Sequence, residues 1–177
     1  MTGFKSLLRR ITTRHMIVFI AVTLFLGRCL HIPSIHSLDL RFSYSLSEVY
    51  GLFDSLGESG RKTYFWMERI DLAYMTSYTL VCLSLFDRIY RKTLRVFPTW
   101  NLILCLAPGF LDLIETLGIL ILLRAYPTQI HWLALTVTVA TPLKWSSGVL
   151  VFAAYFWRLW VSRHFRTENG AAPQRFG

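Results

Sequence analysis

Residues 102–123 read LILCLAPGFLDLIETLGILILL, and this stretch decides the fold. It supplies the about 20 apolar residues that a helix needs to cross a hydrocarbon core of ~30 Å, yet Asp112 and Glu115 stand at its centre. A second apolar stretch, 130–156, carries Lys144 at a similar place. A charge at the centre of a bilayer costs about 2.5–3.5 kcal/mol on insertion scales, so such residues face a partner, a wet cavity or a ligand rather than lipid.

Two further apolar runs lie upstream. Residues 16–27 are uncharged but reach only roughly 18 Å as a helix at 1.5 Å per residue, so this run spans only if Arg28 and His31 are included, with Arg28 extending towards the interface. Residues 72–86 are also uncharged, and Tyr64, Phe65 and Trp66 precede them as an interfacial belt. The expected spans are thus about 16–34, 66–87, 100–124 and 130–157, in one domain covering 1–166, with a disordered tail at 167–177. The fold class is all-α, a four-helix transmembrane bundle. Composition agrees: 54% of the chain is hydrophobic and 16% is charged, and the mean hydropathy is +0.44, too apolar for an ordinary soluble domain. The net charge of +9 is spread in clusters between apolar runs, which argues against a nucleic-acid-binding face.

Those clusters orient the chain. Twelve Lys and Arg fall before the first span, after the second and after the fourth, against four in the other two loops. Both termini are expected on the inner face. The first 38 residues lack Asp and Glu, and Phe4, Leu7, Leu8 and Ile11 alternate with Lys5, Arg9, Arg10 and Arg14 as a basic amphipathic helix. Such a segment serves as a cytoplasmic flank or as mitochondrial targeting, so the mitochondrial inner membrane and the endoplasmic reticulum or plasma membrane all stay open. In the first loop, Ser45-x-x-Glu48 is a capping box, Leu46, Val49, Tyr50 and Phe53 share a helical face, and Gly57 is a natural stop. A short interfacial helix is expected there, resting on the bilayer or on the outer end of the bundle.

With the third helix running outward and the fourth inward, Asp112 and Lys144 fall near one depth, and Glu115 about 4–5 Å further out. Asp112 and Glu115 share a helix face, and one lysine cannot neutralise both. Pro108-Gly109 and Pro142 interrupt the backbone ladders at the same level. This combination reads as a midplane ligand pocket or as a kinked, ion-paired packing contact. Asp71 joins from the second helix in a stripe with Tyr64, Met67, Tyr74 and Tyr78, and with Arg61, Arg69 and Asp54 it is placed along a vestibule towards Glu115. Glu68 is expected to be solvated. The pocket candidates are Asp71, Asp112, Glu115, Lys144, Tyr74, Tyr78, Arg61 and Asp54.

The histidines are scattered and Cys29, Cys82 and Cys105 have no ligand spacing, so neither a metal nor another cofactor is expected. Residues 57–63, GESGRKT, lack the spacing and preceding strand of a phosphate-binding loop. The strings Leu52-Phe53-Asp54-x-Leu56-Gly57-x-x-Gly60-Arg61-x-x-Tyr64, Asp112-x-x-Glu115 and Thr141-x-x-Lys144-Trp145 resemble a group of small four-span membrane proteins over about residues 40–150. The resemblance brings no activity; it implies that the loop turn and the midplane charges belong to one site. The leading functional expectation is a non-catalytic membrane protein binding an amphiphile or small polar ligand. Two others stand beside it: an accessory subunit whose charges meet partner membrane helices, and an intramembrane enzyme using Asp112 or Glu115 on a lipid-like substrate.

Overall fold

The computed structural model describes residues 13–31, 37–93 and 99–170. Within them the chain is all helical: α1 (Thr13–Leu30), a single 3-10 turn (Leu38–Leu40), α2 (Leu46–Thr93), α3 (Thr99–Ala125) and α4 (His131–Gly170). The expected amphipathic helix and the final tail, 171–177, lie outside the described residues. So do positions 32–34 of the first expected span. The fourth helix continues to Gly170, past the expected end of its span at 157, so positions 167–170 of the expected disordered tail are helical.

Among the described residues, three helices are long and apolar enough to cross a membrane: Thr13–Leu30, Thr99–Ala125 and the part of α4 from His131 to Val161. The expected second span, 66–87, lies inside α2, and no window of α2 meets the same measure of length and hydropathy. Its polar residues explain why. Glu68, Asp71, Ser77, Ser84 and Asp87 are all buried, so α2 hides polarity against its neighbours instead of showing an apolar surface. Glu68, expected in solvent, is 1% exposed. Lipid tails are as apolar as leucine, so association of such helices relies on close packing and hydrogen bonds. Two glycines of α3 permit that closeness. A Cβ on Gly118 would lie 2.3 Å from Val137 Cγ2 of α4, and one on Gly109 would lie 2.5 Å from Thr79 Oγ1 of α2.

The capping box forms as expected. The Ser45 amide donates to Glu48 Oε2 at 2.7 Å, and the Glu48 amide donates to Ser45 Oγ at 3.3 Å. At Gly57 the backbone turns to φ 61°, ψ −174°, a conformation that glycine reaches without a Cβ clash, and it separates a limb at 46–56 from the long limb at 58–93. The short limb does not rest on the surface. Val49 and Phe53 are 0% exposed and pack with Ile119, Leu122, Leu133, Ala134 and Val137, so the limb is built into the end of the α3–α4 pair. The apolar face was legible, and of its two expected targets, the bilayer and the outer end of the bundle, it packs on the bundle.

The hydrogen bond from the Ser45 amide, more than any charge, holds the Glu48 carboxyl below the usual carboxylate range. A depressed folded value means the cap contributes above the unfolded value and is lost as pH falls through the folded one. Ser45→Ala is expected to cost about 1 kcal/mol of helix stability, and Glu48→Gln to flatten the acid limb of thermal unfolding recorded in detergent from pH 6 down to 3. An acid limb unchanged in Glu48→Gln would refute this account of the cap.

Candidate buried acid–lysine cluster

The depth expected from helical rise is met. Lys144 Nζ of α4 lies 2.9 Å from Asp112 Oδ1 of α3 and also pairs with Glu115 Oε2, one ammonium bridging two carboxylates one turn apart. Glu115 is 0% exposed and Asp112 4%. Hydroxyls occupy the other carboxylate oxygens. Tyr78 of α2 donates to Asp112 Oδ2 at 2.8 Å, and Tyr44 donates to Glu115 Oε1 at 3.0 Å. Thr141 Oγ1 lies 2.5 Å from the same Glu115 oxygen and 2.9 Å from the Tyr44 hydroxyl; its single hydrogen serves one of them at a time.

The second helix adds a third acid. Asp71 is buried and accepts from Thr116 Oγ1 at 2.9 Å. The Tyr74 and Tyr78 rings meet edge to face with centroids 5.5 Å apart. Asp71, Tyr74, Tyr78, Asp112, Glu115 and Lys144 thus form one neighbourhood, drawn from three helices. Both prolines sit inside helices that remain continuous, Pro108 in α3 and Pro142 in α4.

Arg61 and Asp54 are engaged elsewhere, which corrects the expected vestibule. The Arg61 guanidinium donates to the Phe53 carbonyl at 2.9 Å and stands 4.4 Å over the Tyr126 ring, while the Tyr126 hydroxyl donates to Asp54. That bond is the main reason the Tyr126 hydroxyl titrates above its ordinary value. Arg69 stacks over Trp66 at 4.6 Å. Arg61, Asp54 and Tyr126 clamp the short limb to the α3–α4 turn. Arg61 meets Phe53 across the kink at Gly57, a consequence that helical spacing does not carry.

Three partners escaped sequence reasoning as site residues. Thr141 was within reach of it, since it precedes Lys144 by three positions and shares its face. Thr116 follows Glu115 directly. Tyr44 lies in a non-helical run, where no periodicity applies. Among the described residues no group of three or more His, Cys, Asp or Glu side chains is placed to hold a metal ion. No family model, curated protein or solved structure matches the chain.

Proposed function

We propose that this chain is a non-catalytic, multi-pass integral membrane protein whose buried acid–lysine cluster takes a small polar ligand or the polar head of an amphiphile. One observation carries the reading: Asp112 and Glu115 are buried one turn apart on a single ammonium, that of Lys144, with Asp71 buried against the neighbouring Thr116. Desolvated carboxylates require compensating charge or hydrogen-bond donors, and Asp112 and Glu115 together carry more charge than the one lysine between them. A ligand bearing a hydroxyl or ammonium group answers that excess. In this reading all four helices cross the bilayer, the 66–87 limb shielded by the other three, and both termini lie on the basic inner side.

The test is thermal stabilisation of the detergent-solubilised protein by octanol, octylamine and octanoate. The amine and the alcohol are expected to raise the unfolding temperature by a few degrees and octanoate is not; Glu115→Gln should abolish the rise while membrane insertion is retained. Equal responses in wild type and Glu115→Gln would overturn the proposal.

A second reading rests on the closeness of the contact itself. Lys144 already touches both acids and its side chain is only 11% exposed, as expected of a polar staple that fixes helix register in a subunit of a larger assembly. It predicts co-migration with a large complex on mild solubilisation, and no response to any of the three probes.

A further inference from the structure

We infer that Tyr44 is a displaceable plug over the cluster, and that what replaces it enters from the 41–45 side carrying a hydrogen-bond donor, a hydroxyl or an ammonium. This inference rests on the ligand-binding reading above and adds its route and its chemistry.

The partners named for the cluster otherwise come from the bodies of long helices: Asp71 and Tyr78 from α2, Asp112, Glu115 and Thr116 from α3, Thr141 and Lys144 from α4. Tyr44 alone among them comes from a non-helical strap, residues 43–45, and its hydroxyl still reaches a carboxylate 71 positions away. The neighbouring limb 46–56 is anchored by Val49 and Phe53, both 0% exposed, so displacing that limb would uncover apolar core. The strap has no such anchor apart from Tyr44. Leu40 and Phe42, which precede it, are 66% and 64% exposed, and an open cleft of about 380 Å³ is lined by Arg41 and by Ser47, Glu48, Gly51, Leu52 and Ser55 of the short limb.

What holds the strap is Tyr44 itself, 6% exposed in the same core cluster as Leu38 and Val49, and a few polar contacts. Trp145 Nε1 donates to the Arg41 carbonyl at 3.0 Å, and Arg41 Nη1 meets Glu48 Oε1 at 3.4 Å at an exposed position. Ion pairs of that kind contribute little. Withdrawal of Tyr44 removes one of the two hydroxyl donors at Glu115 Oε1 and an acceptor from Thr141 Oγ1, and a buried carboxylate that loses a donor is costly. The incoming group must therefore donate. An anionic head would meet Asp112 and Glu115 at close range.

The test uses the full chain in vesicles, with Cys29, Cys82 and Cys105 changed to alanine and a single reporter, Thr141→Cys. Modification by an ammonium-bearing methanethiosulfonate and by its sulfonate counterpart is followed over time. Tyr44→Ala is expected to accelerate the ammonium reagent at least tenfold and the sulfonate reagent less, with Val137→Cys, under the anchored limb, unaffected. Rates at Thr141→Cys unchanged by Tyr44→Ala, or a faster sulfonate reagent, would overturn the proposal. Should the reporter chain not fold, acylation of the native Lys144 by a water-soluble ester, read by peptide mass in Tyr44→Ala alone, replaces it, with the same tenfold expectation and the same refutation. Acceleration without octylamine stabilisation would leave the plug standing and the ligand reading refuted; stabilisation without acceleration would do the reverse.

Discussion

Lys144→Met is expected to be the most destabilising single change in the described chain, lowering stability by about 3–5 kcal/mol, the usual cost of removing one partner of a buried ion pair. The methionine fills the space of the lysine stem but leaves Asp112 and Glu115, one helical turn apart and buried, without the ammonium that bridges them. The hydroxyls of Tyr44, Tyr78 and Thr141 remain, yet they supply hydrogen bonds and no charge. Thermal unfolding in detergent should show the loss directly, or the variant should fail to accumulate in the membrane. Combining Lys144→Met with Asp112→Asn and Glu115→Gln should recover most of it, because a neutral polar set needs no counter-charge. A triple variant as stable as the wild type would mean the bundle does not need these charges to fold, which favours a functional reason for carrying them. Wild-type stability in Lys144→Met alone would refute the description of the cluster.

Gly118→Ala is expected to cost about 1–3 kcal/mol, the range for overpacking a filled contact. The added Cβ would stand 2.3 Å from Val137 Cγ2. Val137 is fully buried and β-branched, so its side chain has one favoured helical rotamer and cannot turn away. The helices must therefore separate, and Thr141, one turn along α4 from Val137, would be drawn from Glu115 with them. Val137→Ala in the same chain should restore most of the unfolding temperature. Gly109→Ala is a useful contrast: its Cβ would meet the Thr79 hydroxyl at 2.5 Å, and threonine has two accessible helical rotamers, so the loss should be smaller. A Gly109→Ala loss exceeding that of Gly118→Ala would contradict this account.

The part of the site that follows from helical rise was legible in advance. A fixed 1.5 Å per residue placed Asp112, Glu115 and Lys144 near one depth, and their contacts bear that out. The stripe of Tyr64, Met67, Asp71, Tyr74 and Tyr78 likewise turns inward, with Tyr64, Met67 and Asp71 buried. Rise and periodicity say nothing of where a non-helical residue lands, so Tyr44 went unread. They also cannot distinguish an apolar face meant for lipid from one meant for protein, which is why both the bilayer and the end of the bundle stayed open for the limb bearing Val49 and Phe53.

What the sequence determined by itself was the set of helices, their start at Ser45 and break at Gly57, and the relative depth of three charges. These depend on local backbone chemistry and on a constant rise. Only the tertiary structure decided which acid meets which donor, that Arg61 and Asp54 clamp the bundle's end instead of lining its centre, and that Tyr44 closes the cluster. Those outcomes depend on the approach of segments far apart in the chain, through contacts such as Gly118 on Val137 and Tyr44 on Glu115, and no local pattern encodes them.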